Sequence, residues 1–236
     1  MEPITWGARL FPGLEHWMVA NGIDPHAAID ATIVTGLLIV FAFIAGRRFR
    51  SSDMVEPEGK VSLAFFAEFA IGGLLKFFDS IMEHGSRKLF FFLGTFAFFI
   101  LGNNLIGLIP GFNPPTDQYN VTITLALMTF LTAHFIGIKK HGLHYITKFF
   151  GPVWWLAPVM FPIEIISHLA RPLSLSMRLF GNMTGDHKAL SIFLGFGIWL
   201  LPAVFYGLGT FVSFMQTFVF VLLAAVYFDD ALAEAH

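Results

Sequence analysis

The chain contains no cysteine, which excludes disulfides, zinc–thiolate sites and thiol nucleophiles. Charge is scarce: 13% of the residues are Asp, Glu, Lys or Arg, and the net charge of -2 gives no indication of a nucleic-acid partner. The first residues, Met1-Glu2-Pro3-Ile4-Thr5-Trp6, lack a basic segment followed by an apolar core, so no cleaved signal peptide is expected. Internal repeats and low-complexity segments are also missing. What is abundant is apolar surface. Over 236 residues the chain is 56% hydrophobic, holds 30 Phe and has a mean hydropathy of +0.72. A soluble domain of this size needs far more polar surface. The composition therefore points to an all-α polytopic membrane protein, with a length that suits one integral membrane domain, 1–236.

Residues 1–26 are mixed, carry Pro3, Pro12 and Pro25, and read as an external N-terminal segment. A first span is expected over 27–45, ending at Gly46-Arg47-Arg48-Phe49-Arg50. Residues 61–83 are amphipathic: Glu68, Gly72, Lys76, Asp79 and Glu83 recur at helical spacing on one face, as in a helix lying in the membrane interface. Further spans are expected over 89–109 and 121–138, separated by a turn-rich loop with Pro114-Pro115. Residues 154–228 read as a long helical hairpin with its turn near 193–202. The expected architecture is five crossings plus one interfacial helix, the last two helices long and strongly tilted. Arg47, Arg48, Arg50, Lys60, Lys76, Arg87 and Lys88 precede the second span, and Lys139, Lys140 and Lys148 follow the third. The loop between those two spans has no Lys or Arg. The basic side is thus expected to be cytoplasmic, with the N-terminus outside and the C-terminus inside.

Arg178 is the most informative residue. A guanidinium keeps its proton at any ordinary pH. At mid-membrane it costs at least about 2.5–3.5 kcal/mol on insertion scales, so a chain that retains one uses the charge. At about 100° per residue, with Glu164 at 0°, His168 falls at about 40°, Arg171 at -20°, Arg178 at -40°, Asn182 at 0° and Asp186 at 40°. Six polar groups therefore share an arc of about 80°. Such a stripe has to face another protein surface or a water-filled crevice. Ser167 and Ser174 border it, and His187, at about 140°, is expected to point toward the last helix. There, Tyr206, Gly209, Thr210, Ser213, Gln216 and Thr217 form a matching polar and small-residue face.

Glu164, His168, Asp186 and His187 can bind and release protons; Arg178 cannot and acts as a fixed cation. No acid lies one helical turn from Arg178, so a carboxylate from a partner chain is an attractive counter-charge. Plainer readings stand beside these. Glu164 and His168 can simply pair with each other. Arg171 can snorkel to the interface. Asn182 and Gln216 can act as interhelical glue. Asp117 can be a turn residue. His84, His141 and His144 sit near basic surface segments and are expected to be solvated.

The run Ser174-Leu175-Ser176-Met177-Arg178-Leu179-Phe180-Gly181-Asn182-Met183 resembles the signature of the F-type ATP synthase a subunit family. Glu164, Pro172, Ser174, Gln216 followed by Phe218-Val219-Phe220, and Asp117-Gln118-Tyr119-Asn120-Val121-Thr122 extend the resemblance over about residues 85–228. It implies a stator subunit beside a rotating c-subunit ring, with b-type peripheral stalk subunits and the remaining synthase subunits as partners. It implies no cofactor and no metal, and a place in the cell inner membrane. Arg178 would hold the ring carboxylate ionised between two offset half-channels. Asn182, His187 and Gln216 would line the outer one, with Asp117 and Asn120 near its mouth. Glu164 and Ser167 would belong to the cytoplasmic one. The chain departs from the family at Gly209, seven positions before Gln216, where an ionisable partner of the His187 position is common. Asp186, beside His187, is expected to take over part of that role in cis. Two other functional classes stand beside this one. A secondary ion-coupled transporter predicts inverted repeats, which the chain lacks. An intramembrane hydrolase predicts a paired nucleophile and base, for which only Ser213 with His187 offers itself.

Overall fold

A computed structural model describes residues 13, 18, 25–49, 63–82, 86–109, 112–142, 145, 154–194 and 200–233. Among them the regular structure is entirely helical: α1 Pro25–Phe49, α2 Leu63–Ile81, α3 Ser86–Ile106, α4 Tyr119–His141, α5 Ala157–Leu194 and α6 Leu200–Leu232. Short 3-10 turns at Pro115–Asp117 and Trp154–Leu156 lead into α4 and α5. The helices cover the stretches read as helical, with ends shifted by a few residues, and α6 runs on to Leu232. The external N-terminal segment and Glu83, His84 and His144 fall outside the described residues. Among the described residues three helices are long and apolar enough to cross a membrane, within Arg87–Ile106, Tyr119–His141 and Pro202–Leu232, and α1 carries the shorter apolar stretch Ala28–Ile44.

Two compact units are present, the first made of residues 1–80 and 86–115 and the second of 81–85 and 116–236. In the first unit, α1 packs on α3 where Gly102 lets Val34 approach; a Cβ at Gly102 would lie 2.9 Å from Val34 Cγ1. Asp30, fully buried on α1, accepts a hydrogen bond from the Asn113 backbone N–H at 3.3 Å and so ties the stretch after α3 to α1. The opposite face of α1, with Leu37, Val40 and Phe43, is exposed and suited to lipid. On α2, Glu68, Lys76 and Asp79 are exposed as the periodicity predicts, while Phe78 is buried edge-on against Phe90 of α3 at 6.0 Å between ring centres.

In the second unit α4, α5 and α6 pack side by side. The core is Leu125, Ala126 and Ala133 of α4, Leu175, Leu179 and Met183 of α5, and Phe220, Ala224, Ala225 and Phe228 of α6. The alanines on α6 are fully buried and allow close backbone approach. α4 stops at Gly142, whose φ of 60° an L side chain disfavours, and the Gly142 N–H bonds to the Ile138 carbonyl. Lys139 and Lys140 lie in its last turn, where cations oppose the helix dipole favourably. α5 is a single helix of 38 residues that accommodates Pro162 and Pro172. Its length, about 57 Å at 1.5 Å per residue, exceeds the hydrocarbon thickness of about 30 Å.

Candidate functional site

The polar stripe of α5 divides into three stations along the second unit. At the middle one, Arg178 is exposed, and among the described residues its guanidinium takes part in no ion pair. It lines an open groove between α5 and α6 of about 600 Å³. α5 supplies Arg178, Asn182 and Asp186 to this groove; α6 supplies Leu208, Val212, Met215, Gln216 and Val219. The wall is thus polar on one helix and mainly apolar on the other. Asn182 Nδ2 donates to Gln216 Oε1 at 2.5 Å and bridges the two helices beside Arg178. Gln216 is 3% exposed, and its buried Nε2 has no acceptor among the described residues. Gly209, one of the small residues of this α6 face, is buried.

The second station joins α5 to the 3-10 turn before α4. Thr184 Oγ1 donates to Asp117 Oδ1, and His187 Nδ1 lies 3.4 Å from Asp117 Oδ2. His187 therefore faces the start of α4 and not the last helix. The simple angular reading missed this because it contained no information on where residues 115–118 fold. Asp117 is a turn residue, as one sequence reading had it, and its carboxylate also meets the His187 imidazole, a pairing that neither reading contained. Asp186 remains on the groove with Arg178. Asn120 is exposed on the first turn of α4, its carbonyl accepting from Thr124 Oγ1 at 2.7 Å. Tyr119 meets Phe180 edge-on at 5.9 Å.

The third station lies at the basic end of α4. Glu164 Oε1 is 3.3 Å from His168 Nδ1, so these two residues pair one turn apart. Ser167 is exposed beside them. Arg171 Nη1 is 2.8 Å from Asp230 Oδ2 of α6, with its guanidinium 5.3 Å from the Tyr227 ring centre. Arg171 is therefore neutralised inside the chain, where snorkelling was the alternative. Lys140 Nζ donates to the Leu232 carbonyl at 2.5 Å and caps the end of α6. His134 of α4 stands 5.5 Å from His168 between ring centres, and buried Tyr145 packs edge-on against His134 at 5.8 Å. Sequence reasoning had not singled out His134, Tyr145, Thr184 or Asp230. The available signal was weak: an acid near the end of an apolar helix for Asp230, and helical spacing from His187 for Thr184.

Comparison with known proteins agrees with the motif. The family model described as ATP synthase A chain matches residues 30–229. The chain is 46% identical over 211 residues to ATP synthase subunit a of Geobacter sulfurreducens, covering 89% of this chain and 91% of that one. It is 41% identical over 236 residues to ATP synthase subunit a of Trichlorobacter lovleyi, covering 100% of both. It is 45% identical over 241 residues to the protein of the same name from Desulfosudis oleivorans, covering 100% of this chain and 99% of that one. With an exposed arginine in an Arg-Leu-Phe-Gly-Asn run and apolar helices long enough to cross a bilayer, this is a membrane protein that belongs to the ATP synthase A chain family.

Proposed function

We propose that this chain is the stator subunit of a rotary ATP synthase and conducts protons to and from a carboxylate on a ring of c subunits. It performs no bond-making chemistry by itself. The observation that carries this reading is Arg178: a permanent cation, exposed on the groove face of α5, with no ion-pair partner among the described residues. An uncompensated guanidinium in an apolar setting attracts a mobile anion and repels protons. A ring carboxylate arriving in the groove is held ionised while it passes, and cannot carry a proton straight across.

The two other stations supply proton access on either side. Asp117, Asn120, His187, Asn182 and Gln216 serve the outer half-channel. Glu164 and Ser167 serve the cytoplasmic one. Asp117 takes the place of the partner that the family commonly has at the Gly209 position, and Asp186 helps to set the field around Arg178. Each charge that moves through the membrane potential releases about 2.3 kcal/mol per 100 mV, which turns the ring. The chain crosses the cell inner membrane five times as one integral domain, N-terminus outside, and contacts the ring, the b-type stalk subunits and the rest of the synthase.

The test is Arg178→Ala in the whole complex reconstituted into liposomes. The expected result is loss of ATP-driven proton pumping while the chain still co-purifies with a small Gly-rich hairpin subunit. Retained pumping overturns the proposal, as does transport by the purified chain alone.

A further inference from the structure

The end of α1 carries a concentrated positive charge. Arg47, Arg48 and Arg50 occupy three of four consecutive positions, and no Asp or Glu occurs between Asp30 and Asp53. Arg47 is exposed, and among the described residues its guanidinium takes part in no ion pair. It folds back over Phe43, one turn earlier, with its Cζ 4.5 Å from the ring centre. Stacking on an aromatic face steadies the guanidinium plane and leaves the N–H groups at its edge available to an anion. That planar fork matches a phosphate with two parallel hydrogen bonds.

The same helix face leads from this charge along an apolar track. At about 100° per residue, Gly36, Ile39, Val40, Phe43, Ile44 and Arg47 fall within an arc of about 140°. All of them are exposed. The track ends at an open depression of about 320 Å³, where Thr32, Thr35, Gly36 and Ile39 of α1 meet Phe99 of α3. A Cβ at Gly36 would meet nothing within 4 Å, so the depression stays unfilled there. The Thr32 and Thr35 hydroxyls donate to the Ala28 and Ala31 carbonyls, each at 2.7 Å, so these side chains present no unmet donor to an apolar occupant. One leaflet of hydrocarbon is about 15 Å deep, a distance that a helix climbs in about ten residues. Counted back from Arg47, that distance ends at Leu37, next to Gly36.

We propose that this face of α1 holds an anionic phospholipid. Arg47 pairs with the headgroup phosphate, one acyl chain follows Phe43 and Val40, and the end of that chain rests in the depression at Gly36. The charge of the run selects the headgroup. A zwitterionic lipid brings its own ammonium to the three arginines, whereas a net-negative one brings no opposing cation. The match of leaflet depth to the spacing between Arg47 and the depression selects a lipid over a free anion. This rests on the reading of α1 as one of the five crossings and stands apart from the proton path.

The experiment places the whole complex in phosphatidylcholine liposomes that contain a little phosphatidylglycerol with a photoreactive diazirine at the end of one acyl chain. The control lipid is phosphatidylcholine with the same diazirine. Phosphatidylglycerol is expected to label residues 36–43 about fivefold more than the control at equal dose. Arg47→Gln should abolish that preference, Gly36→Leu should lower the labelling by filling the depression, and excess inorganic phosphate should leave it unaltered. Equal labelling by the two lipids overturns the site, as does a preference that survives Arg47→Gln or labelling unchanged in Gly36→Leu. Loss of the preference in excess phosphate means a bare anion site and overturns the lipid. Where Arg47→Gln does not co-purify with the complex, the ratio of the two lipids on the unaltered chain decides. No label on α1 from either lipid also sinks the proposal, and Val40→Cys, the sole thiol in a chain without cysteine, then separates the causes. Reaction with a water-soluble maleimide means that α1 is no crossing and the underlying reading fails; protection means that another subunit covers this face and the lipid site alone fails.

Discussion

Arg171 and Arg178 stand two turns apart on α5, and among the described residues only the first meets an acid. Arg171 Nη1 meets Asp230 Oδ2 at 2.8 Å, whereas Arg178 faces an open groove. The Arg171 and Asp230 side chains are 33% and 53% exposed, so water screens their attraction. Asp230→Asn is therefore expected to lower stability by no more than about 1 kcal/mol in a thermal scan of the purified complex. A loss of several kcal/mol would show that lipid or a partner shields the pair.

The Asn182–Gln216 bond makes an asymmetric prediction. Asn182 is exposed and can turn to water, while Gln216 is buried. Asn182→Ala strands Gln216 Oε1 beside an Nε2 that already lacks an acceptor among the described residues, and should cost about 1–3 kcal/mol. Gln216→Leu removes the stranded groups with little change of volume and should cost less. Denaturation of the two variants checks the order. The opposite order means that the bond does not form as described.

Asp117 and His187 are expected to act as one unit. Asp117→Asn and His187→Asn should each slow proton pumping by about tenfold or more, and the double variant should be no slower than the worse single one. Thr184→Val, which removes only the hydroxyl that donates to Asp117, should have a smaller effect. Initial rates of ATP-driven acidification give the comparison; multiplicative losses would mean that the two residues work separately.

Glycines on two helices differ in what surrounds them. A Cβ at Gly137 would run into the Tyr145 ring, whereas one at Gly181 meets nothing within 4 Å. Gly137→Ala should destabilise by about 1–3 kcal/mol through overpacking. Gly181→Ala should leave the chain as stable or stabilise it by up to about 1 kcal/mol through helix propensity. If Gly181→Ala instead blocks recovery of the complex, a partner helix packs closely on that face.

Element type and order were legible in the chain itself. Long apolar runs can only be helices in lipid, because every backbone N–H and C=O must be satisfied within its own segment. Charged and Pro-rich interruptions mark where the runs stop. The α5 stripe was equally legible, since helical periodicity alone determines which of its residues share a face. Arg178 and Asn182 both line the groove, as that periodicity requires.

Pairing was decided by the tertiary structure. Asp117 reaches His187 across 70 residues, Arg171 reaches Asp230 across 59, and Asn182 reaches Gln216 across 34. Periodicity describes rotation about one helix axis and carries no information on the rotation or offset of its neighbours, which packing of Leu175, Leu179, Phe220 and Ala224 imposes. The sequence by itself thus determined that a fixed cation lies on a polar face of a long helix. Only the packing of α4, α5 and α6 decided which acids meet Arg171 and His187, and that Arg178 lines the groove between α5 and α6.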